Sequence, residues 1–217
     1  MAKEILNINK LQRAAKKFAA AESSHYQPKL YGITDGKAIG TYLARNFFAY
    51  LRKSYDFEQG NAASGLDFPS LEVDLKVTSQ KQPQSSCPYQ SARQKIYGLG
   101  YHLLIFVYNK LDDHKKRTAK LDIVHTIFVD AAQTADFQMT KGLLQILENE
   151  ANIDDVIAFM QDKNLPADEI KLTSIAKDIL ANPPKQGYLT ISNALQWRIQ
   201  YRRVIQEAGH ISGIYKM

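Results

Sequence analysis

Apolar and polar positions alternate most strictly from Leu71 to Val77, where Leu71, Val73, Leu75 and Val77 are aliphatic and Glu72, Asp74 and Lys76 charged. That period of two predicts a strand with the aliphatics on one face and the charges on the other. Pro69-Ser70 supplies a turn and Gly65–Phe68 a short partner strand, so Ser64 to Ser79 reads as a tight hairpin. A symmetric turn at Pro69-Ser70 sets Asp67 opposite Glu72 and diagonal to Asp74. Such cross-strand neighbours share a face, with Cβ atoms roughly 5 Å and 7 Å apart. The alternation is equally that of an exposed antiparallel strand with a wet, salt-bridged face.

Elsewhere the periodicity is helical or continuously apolar. Residues 7–22 predict an amphipathic helix with Ile8, Leu11, Ala15 and Phe18 as its stripe and Lys10, Arg13, Lys16 and Lys17 as its basic face. That basic face is a solvated surface, a backbone-contacting surface or a dimer-packing one. Thr34 or Asp35 can cap a second helix running to about Tyr55, with Ile39, Leu43, Phe47, Tyr50 and Leu51 inward. Ser91–Gly98 reads as a short helix with Ala92, Ile96 and Leu99 inward and Arg93, Gln94 and Lys95 outward. Tyr101–Tyr108 and Leu121–Asp130 are apolar runs expected as buried strands, joined by a charged turn over Asp112–Lys120. Helices are expected over Thr140–Glu150, Asp154–Asp162, Ala167–Leu180 and Thr190–Ala208, the last ended by Gly209. In that last helix Ile191, Leu195, Ile199 and Val204 line one side. The expectation is an α/β fold: a mixed β-sheet core flanked by helices, over about 31–130, with a helical C-terminal part over about 131–217, all in one domain.

Composition narrows the partners. The 217 residues hold 28 Lys and Arg against 22 Asp and Glu, a net charge of +6 that suits an anionic partner. One cysteine, Cys87, leaves no internal disulfide and argues against a cysteine-based zinc site. No apolar run approaches the roughly 20 residues that span a bilayer, and the N-terminus has no secretory signal pattern. An intracellular, cytoplasmic protein is expected.

The hairpin carries the chemistry. Three carboxylates converging on one patch repel one another, and Lys76 neutralises only part of their charge. A Mg²⁺ ion resolves this, since it prefers oxygen ligands and is usually held by one or two carboxylates. Asp67 and Asp74 are the natural ligands, and Lys76 on the same face can hold or deprotonate an attacking water. The following Thr78–Lys95 has no Asp or Glu but three Lys or Arg, five Gln and four Ser, groups that suit phosphate oxygens and base edges.

Asp67, a short gap and Asp74-Leu75-Lys76 resemble the PD-(D/E)xK nuclease motif. The longer run from Leu66 through Q-P-Q-S-S-C-P-Y-Q-S-A-R-Q-K-I-Y-G-L-G-Y to Tyr108 is similar to type II restriction endonucleases of that superfamily. So is Tyr31–Tyr42, which looks like the segment that opens their core. Leu66 stands where the motif has proline. The resemblance implies a restriction-endonuclease-like fold and Mg²⁺-dependent hydrolysis of double-stranded DNA at a short sequence. It also implies 5′-phosphate ends and a homodimer matched to a two-fold site. Asp67 and Asp74 would hold the metal and Lys76 the water. Glu72 would assist as a hydrogen-bonding group or second-metal ligand, though the spacing to Lys76 favours Asp74 over Glu72 as the main ligand. Asp35, Asp56 or Glu58 could add a further carboxylate. DNA contacts are expected from Lys81, Gln82, Gln84, Ser85, Ser86, Gln90, Arg93 and Lys95, where Gln matches adenine and Arg guanine. A repair or structure-specific nuclease of the same fold, or a non-catalytic DNA-binding module, are the alternatives.

Overall fold

The computed structural model describes residues 3–60, 65–87, 90–192 and 197–217. In chain order its elements begin with strand β1 (Glu4–Ile5), helix α1 (Ile8–Glu22), β2 (Tyr26–Gln27), α2 (Gly36–Leu51), β3 (Tyr55–Asp56) and β4 (Val73–Ser79). They continue with β5 (Gln84–Cys87), α3 (Gln94–Tyr97), β6 (His102–Asp113) and β7 (Thr118–Val129). The remainder comprises α4 (Phe137–Glu148), α5 (Ile153–Asp162), α6 (Glu169–Ala181), β8 (Thr190–Ile191), β9 (Trp197–Gln200), α7 (Arg202–Glu207) and β10 (Ile214–Lys216). The class is mixed α/β. No helix among the described residues is long and apolar enough to cross a membrane.

These elements form two compact units, each drawn from separated stretches. The first holds Met1–Gln84, His102–Phe128 and Ala208–Met217, and the second Ser85–Tyr101 and Val129–Glu207. In the first unit a sheet runs β10-β7-β6-β4, with β2 also paired to β7. Strand β4 lies parallel to β6, with Asp74 opposite Leu103 and Lys76 opposite Ile105. Helices α1 and α2 cover the face carrying Val73, Leu75, Leu104 and Phe106, which share one core with Leu11, Phe18, Leu43 and Phe47. Both helices start as the sequence predicts. Asn7 caps α1 through Lys10 N–H, and Asp35 caps α2 through Lys37 and Ala38 N–H. Helix α2 stops at Leu51 rather than near Tyr55. Tyr55-Asp56 instead pair in parallel with β1, where Glu4 and Leu6 N–H donate to the Ser54 and Asp56 C=O groups.

The second unit packs α4, α5 and α6 around Met139, Leu143, Val156, Met160, Leu172 and Ile175. Its sheet runs β5-β9-β8. Here the expected helix over Thr190–Ala208 is overturned. Thr190 and Ile191 pair antiparallel with Gln200 and Ile199, and helix resumes only at Arg202. The reason lies in the residues: around Ile199 and Tyr201, both buried, stand exposed Arg198, Gln200 and Arg202. That is the period of a strand. Leu195 of the expected stripe lies outside the described residues. Two of the outward positions expected in Ser91–Gly98 are also corrected. Gln94 and Lys95 are buried, because the helix is only one turn long and its flanks fold inward.

Candidate active site

The hairpin holding the acidic residues closes differently from a two-residue turn. Phe68 and Val73 are the bridging pair, with Phe68 N–H donating to Val73 C=O at 2.9 Å and Val73 N–H to Phe68 C=O at 3.2 Å. The connection is therefore four residues long. Pro69, with its fixed φ, starts a 3-10 turn through Leu71, and Glu72 closes it in the left-handed region at φ 53°. Two consequences follow for the charges. Asp67 now lies across from Asp74, not from Glu72. Glu72 sits exposed in the turn and leaves the carboxylate cluster, while its C=O accepts from His102 N–H at 2.8 Å and ties the turn to β6.

The remaining pair is tightly held. Phe68, fully buried against Phe47, Phe48 and Phe57, anchors the loop just after Asp67. Gly60 N–H donates to Asp67 C=O at 3.0 Å. Leu75 N–H donates to Asp67 Oδ2 at 2.9 Å, and Lys76 Nζ lies 2.6 Å from Asp74 Oδ2. Burial, then the hydrogen bond to the Asp74 carboxyl, raises the Asp67 pKa to about 6. The Leu75 amide and the Lys76 charge oppose that shift without cancelling it. Val73, Leu75 and Val77 belong to the helix-covered core, so alternation sends Asp74 and Lys76 to the opposite face of the sheet. Two oxygen-donor carboxylates in contact, one pushed toward protonation, with one ammonium beside them, fit a hard divalent cation. Among the described residues no group of three or more acidic, histidine or cysteine side chains could hold a metal ion. Asp35 is occupied as a helix cap, and Asp56 and Glu58 are exposed on β3 and just beyond it.

The expected DNA-contacting residues fall in different settings. In the first unit Lys81 and Gln82 are exposed, and Gln84 begins β5 with its N–H on Thr78 Oγ1 at 2.9 Å. In the second unit Ser86 and Gln90 are exposed, and Gln90 accepts from Gln94 Nε2 at 3.3 Å. Ser85 Oγ is 2.5 Å from Tyr201 Oη, and Arg93 is ion-paired with Asp178. Lys95 is the clearest departure. Burial pushes its pKa down, the neighbouring Asp136 charge pulls it back up, and its C=O takes the Asp136 N–H at 2.9 Å. Sequence reasoning missed the direct Asp67–Asp74 facing. The signal was Pro69, which favours starting a helical turn over forming a two-residue hairpin loop.

Known proteins give the chain its family. The family model of the type II restriction enzyme NspV matches residues 5–216. The type II restriction enzyme NspV of Nostoc sp. (strain ATCC 29411 / PCC 7524) is 63% identical over 210 residues, covering 97% of this chain and 96% of that protein. Among solved structures, tetrameric restriction endonuclease SfiI bound to cognate DNA aligns over 100% of this chain and 88% of its own, at 10% identity. Its TM-score is 0.37. On the family match and the near full-length identity, the chain belongs to the NspV family of type II restriction enzymes.

Proposed function

We propose that this chain hydrolyses both strands of double-stranded DNA at a short fixed sequence, using Mg²⁺ held by Asp67 and Asp74, and leaves 5′-phosphate ends. Family membership makes it a site-specific DNA endonuclease. The observation that carries the chemistry is the facing Asp67–Asp74 pair with Lys76 Nζ 2.6 Å from Asp74. When bound there, Mg²⁺ supplies charge for the developing phosphorane and lowers the pKa of a coordinated water. Asp74 holds the Lys76 ammonium in place, and Lys76 orients the attacking water toward phosphorus, in line with the leaving 3′ oxygen. Asp67, locked by the Leu75 amide, presents its second oxygen and must give up its proton before it can bind a cation. The exposed Lys81, Gln82, Ser86 and Gln90, together with Gln84, Ser85 and Arg93, are the residues proposed to meet DNA. A homodimer is proposed because two strands of a two-fold site call for two copies of one centre.

Digestion of plasmid or phage DNA with Mg²⁺ tests this reading. Discrete fragments that share one end sequence with 5′-phosphates are expected, and sedimentation should give a dimer. A smear would point instead to a repair-type nuclease. Binding without any cutting would leave a DNA-binding module and remove the enzyme.

A further inference from the structure

We propose that a basic pocket beside α1 grips a backbone phosphate of the DNA flank, several base pairs from the cut; this rests on the DNA-cleaving reading above. Lys10, Arg13 and Lys17 recur at helical spacing on one face of α1. With Lys53, just past α2, they line a cavity of about 390 Å³ walled by Tyr55 of β3. One carboxylate shares it: Glu4, whose Oε2 is 3.0 Å from Lys10 Nζ, while Lys10 also donates to Ile5 C=O at 2.9 Å. Among the described residues Arg13, Lys17 and Lys53 have no acidic partner. Three cations around one concavity repel, and a bound anion relieves them. Packing against the same face of a second copy would set like charges together, which argues against the dimer role for this helix face.

The chain itself places the pocket near the cut. From Tyr55 in its wall, five residues lead to Gly60, whose N–H bonds Asp67 C=O. Five extended residues reach at most roughly 18 Å. At about 3.4 Å per base pair, the pocket lies within about five base pairs of the carboxylate pair. The ligand is a phosphodiester oxygen, so the pocket adds affinity and salt dependence without reading sequence.

Fluorescence anisotropy with chelator present, across a salt series, tests this on a duplex of about 30 base pairs carrying the mapped site. Neutralising Arg13, Lys17 and Lys53 together to Gln should flatten the log Kd against log salt slope by about 1 and weaken binding about tenfold. The loss should fade as the duplex flank is shortened toward the mapped site, which takes the phosphate away from the pocket. Glu4→Gln, which removes the competing carboxylate, should tighten binding several-fold. Native slope and affinity in the triple variant, or unchanged binding in Glu4→Gln, would overturn the pocket. Native protein that neither binds nor cuts the duplex would instead sink the reading beneath it.

Discussion

Asp67 is under two opposed demands, and its proton affinity records them. The Leu75 amide favours its anion, but burial beside the Asp74 carboxyl disfavours it more strongly and raises its pKa to about 6. A carboxyl whose pKa is raised on folding contributes stability below its unfolded value near 4, and that stability is lost as pH rises through about 6. At pH 8 the charged pair should therefore weaken the fold by about 1–3 kcal/mol. Asp67→Asn keeps an acceptor for Leu75 and adds a donor for Asp74. Thermal melts should show it more stable than the native protein at pH 8 and equal at pH 4; equal melting at both would refute the strain. With Asp67 in its proposed role as a metal ligand, the same proton must leave before the cation binds. Cleavage at limiting Mg²⁺ should therefore rise as pH increases through about 6, and excess Mg²⁺ should move that midpoint lower. Glu72 is a different case. It holds φ 53° without being glycine, so Glu72→Gly should leave the melting temperature unchanged or raise stability by up to about 1 kcal/mol.

At the scale of elements, what was legible depended on whether local signals matched the final pairing. Helix α1 was legible from its stripe and α2 from stripe and cap, because Asp35 acts within three residues of itself; the Asn7 cap of α1 was not read. Buried strands β6 and β7 were legible as apolar runs, but β6 runs on to Asp113 and β7 begins at Thr118, so their pairing shortens the charged turn expected over Asp112–Lys120. Strands β8 and β9 were not legible. Four of their residues, Ile191, Ile199, Trp197 and Thr190, are β-branched or aromatic, yet Ile191 and Ile199 also fall at helical spacing, which mimics a helix face. The hairpin turn failed for a related reason: the alternation around it suggested a tight loop, whereas Pro69, with its fixed negative φ, cannot enter the positive-φ turns that close two-residue hairpins. Close backbone approach was also invisible. A Cβ on Gly187 would lie 2.3 Å from Ala135 C=O, a contact made 52 residues away in sequence that neither neighbourhood announces. Gly187→Ala should lower stability by more than about 2 kcal/mol in a denaturant melt. A variant that melts like the native protein would show that the segment can shift.

For the molecule as a whole, the charge excess of +6 signalled an anionic partner but not where it binds. The shift in hairpin register leaves Asp67, Asp74 and Lys76 side by side and moves Glu72 into the turn. The acidic pair and the lysine were readable as a pattern, whereas the distances between them depended on the turn. The most direct test of the account is single-turnover cleavage of the mapped duplex, with saturating protein and Mg²⁺, by single variants. Asp67→Asn, Asp74→Asn and Lys76→Ala should each slow the chemical step by at least about 10²-fold while still binding DNA. Glu72→Ala should cut within a few-fold of the native rate. Native rates from any of the first three, or a loss from Glu72→Ala as large as theirs, would contradict the assignment of the catalytic centre to the Asp67–Asp74–Lys76 cluster.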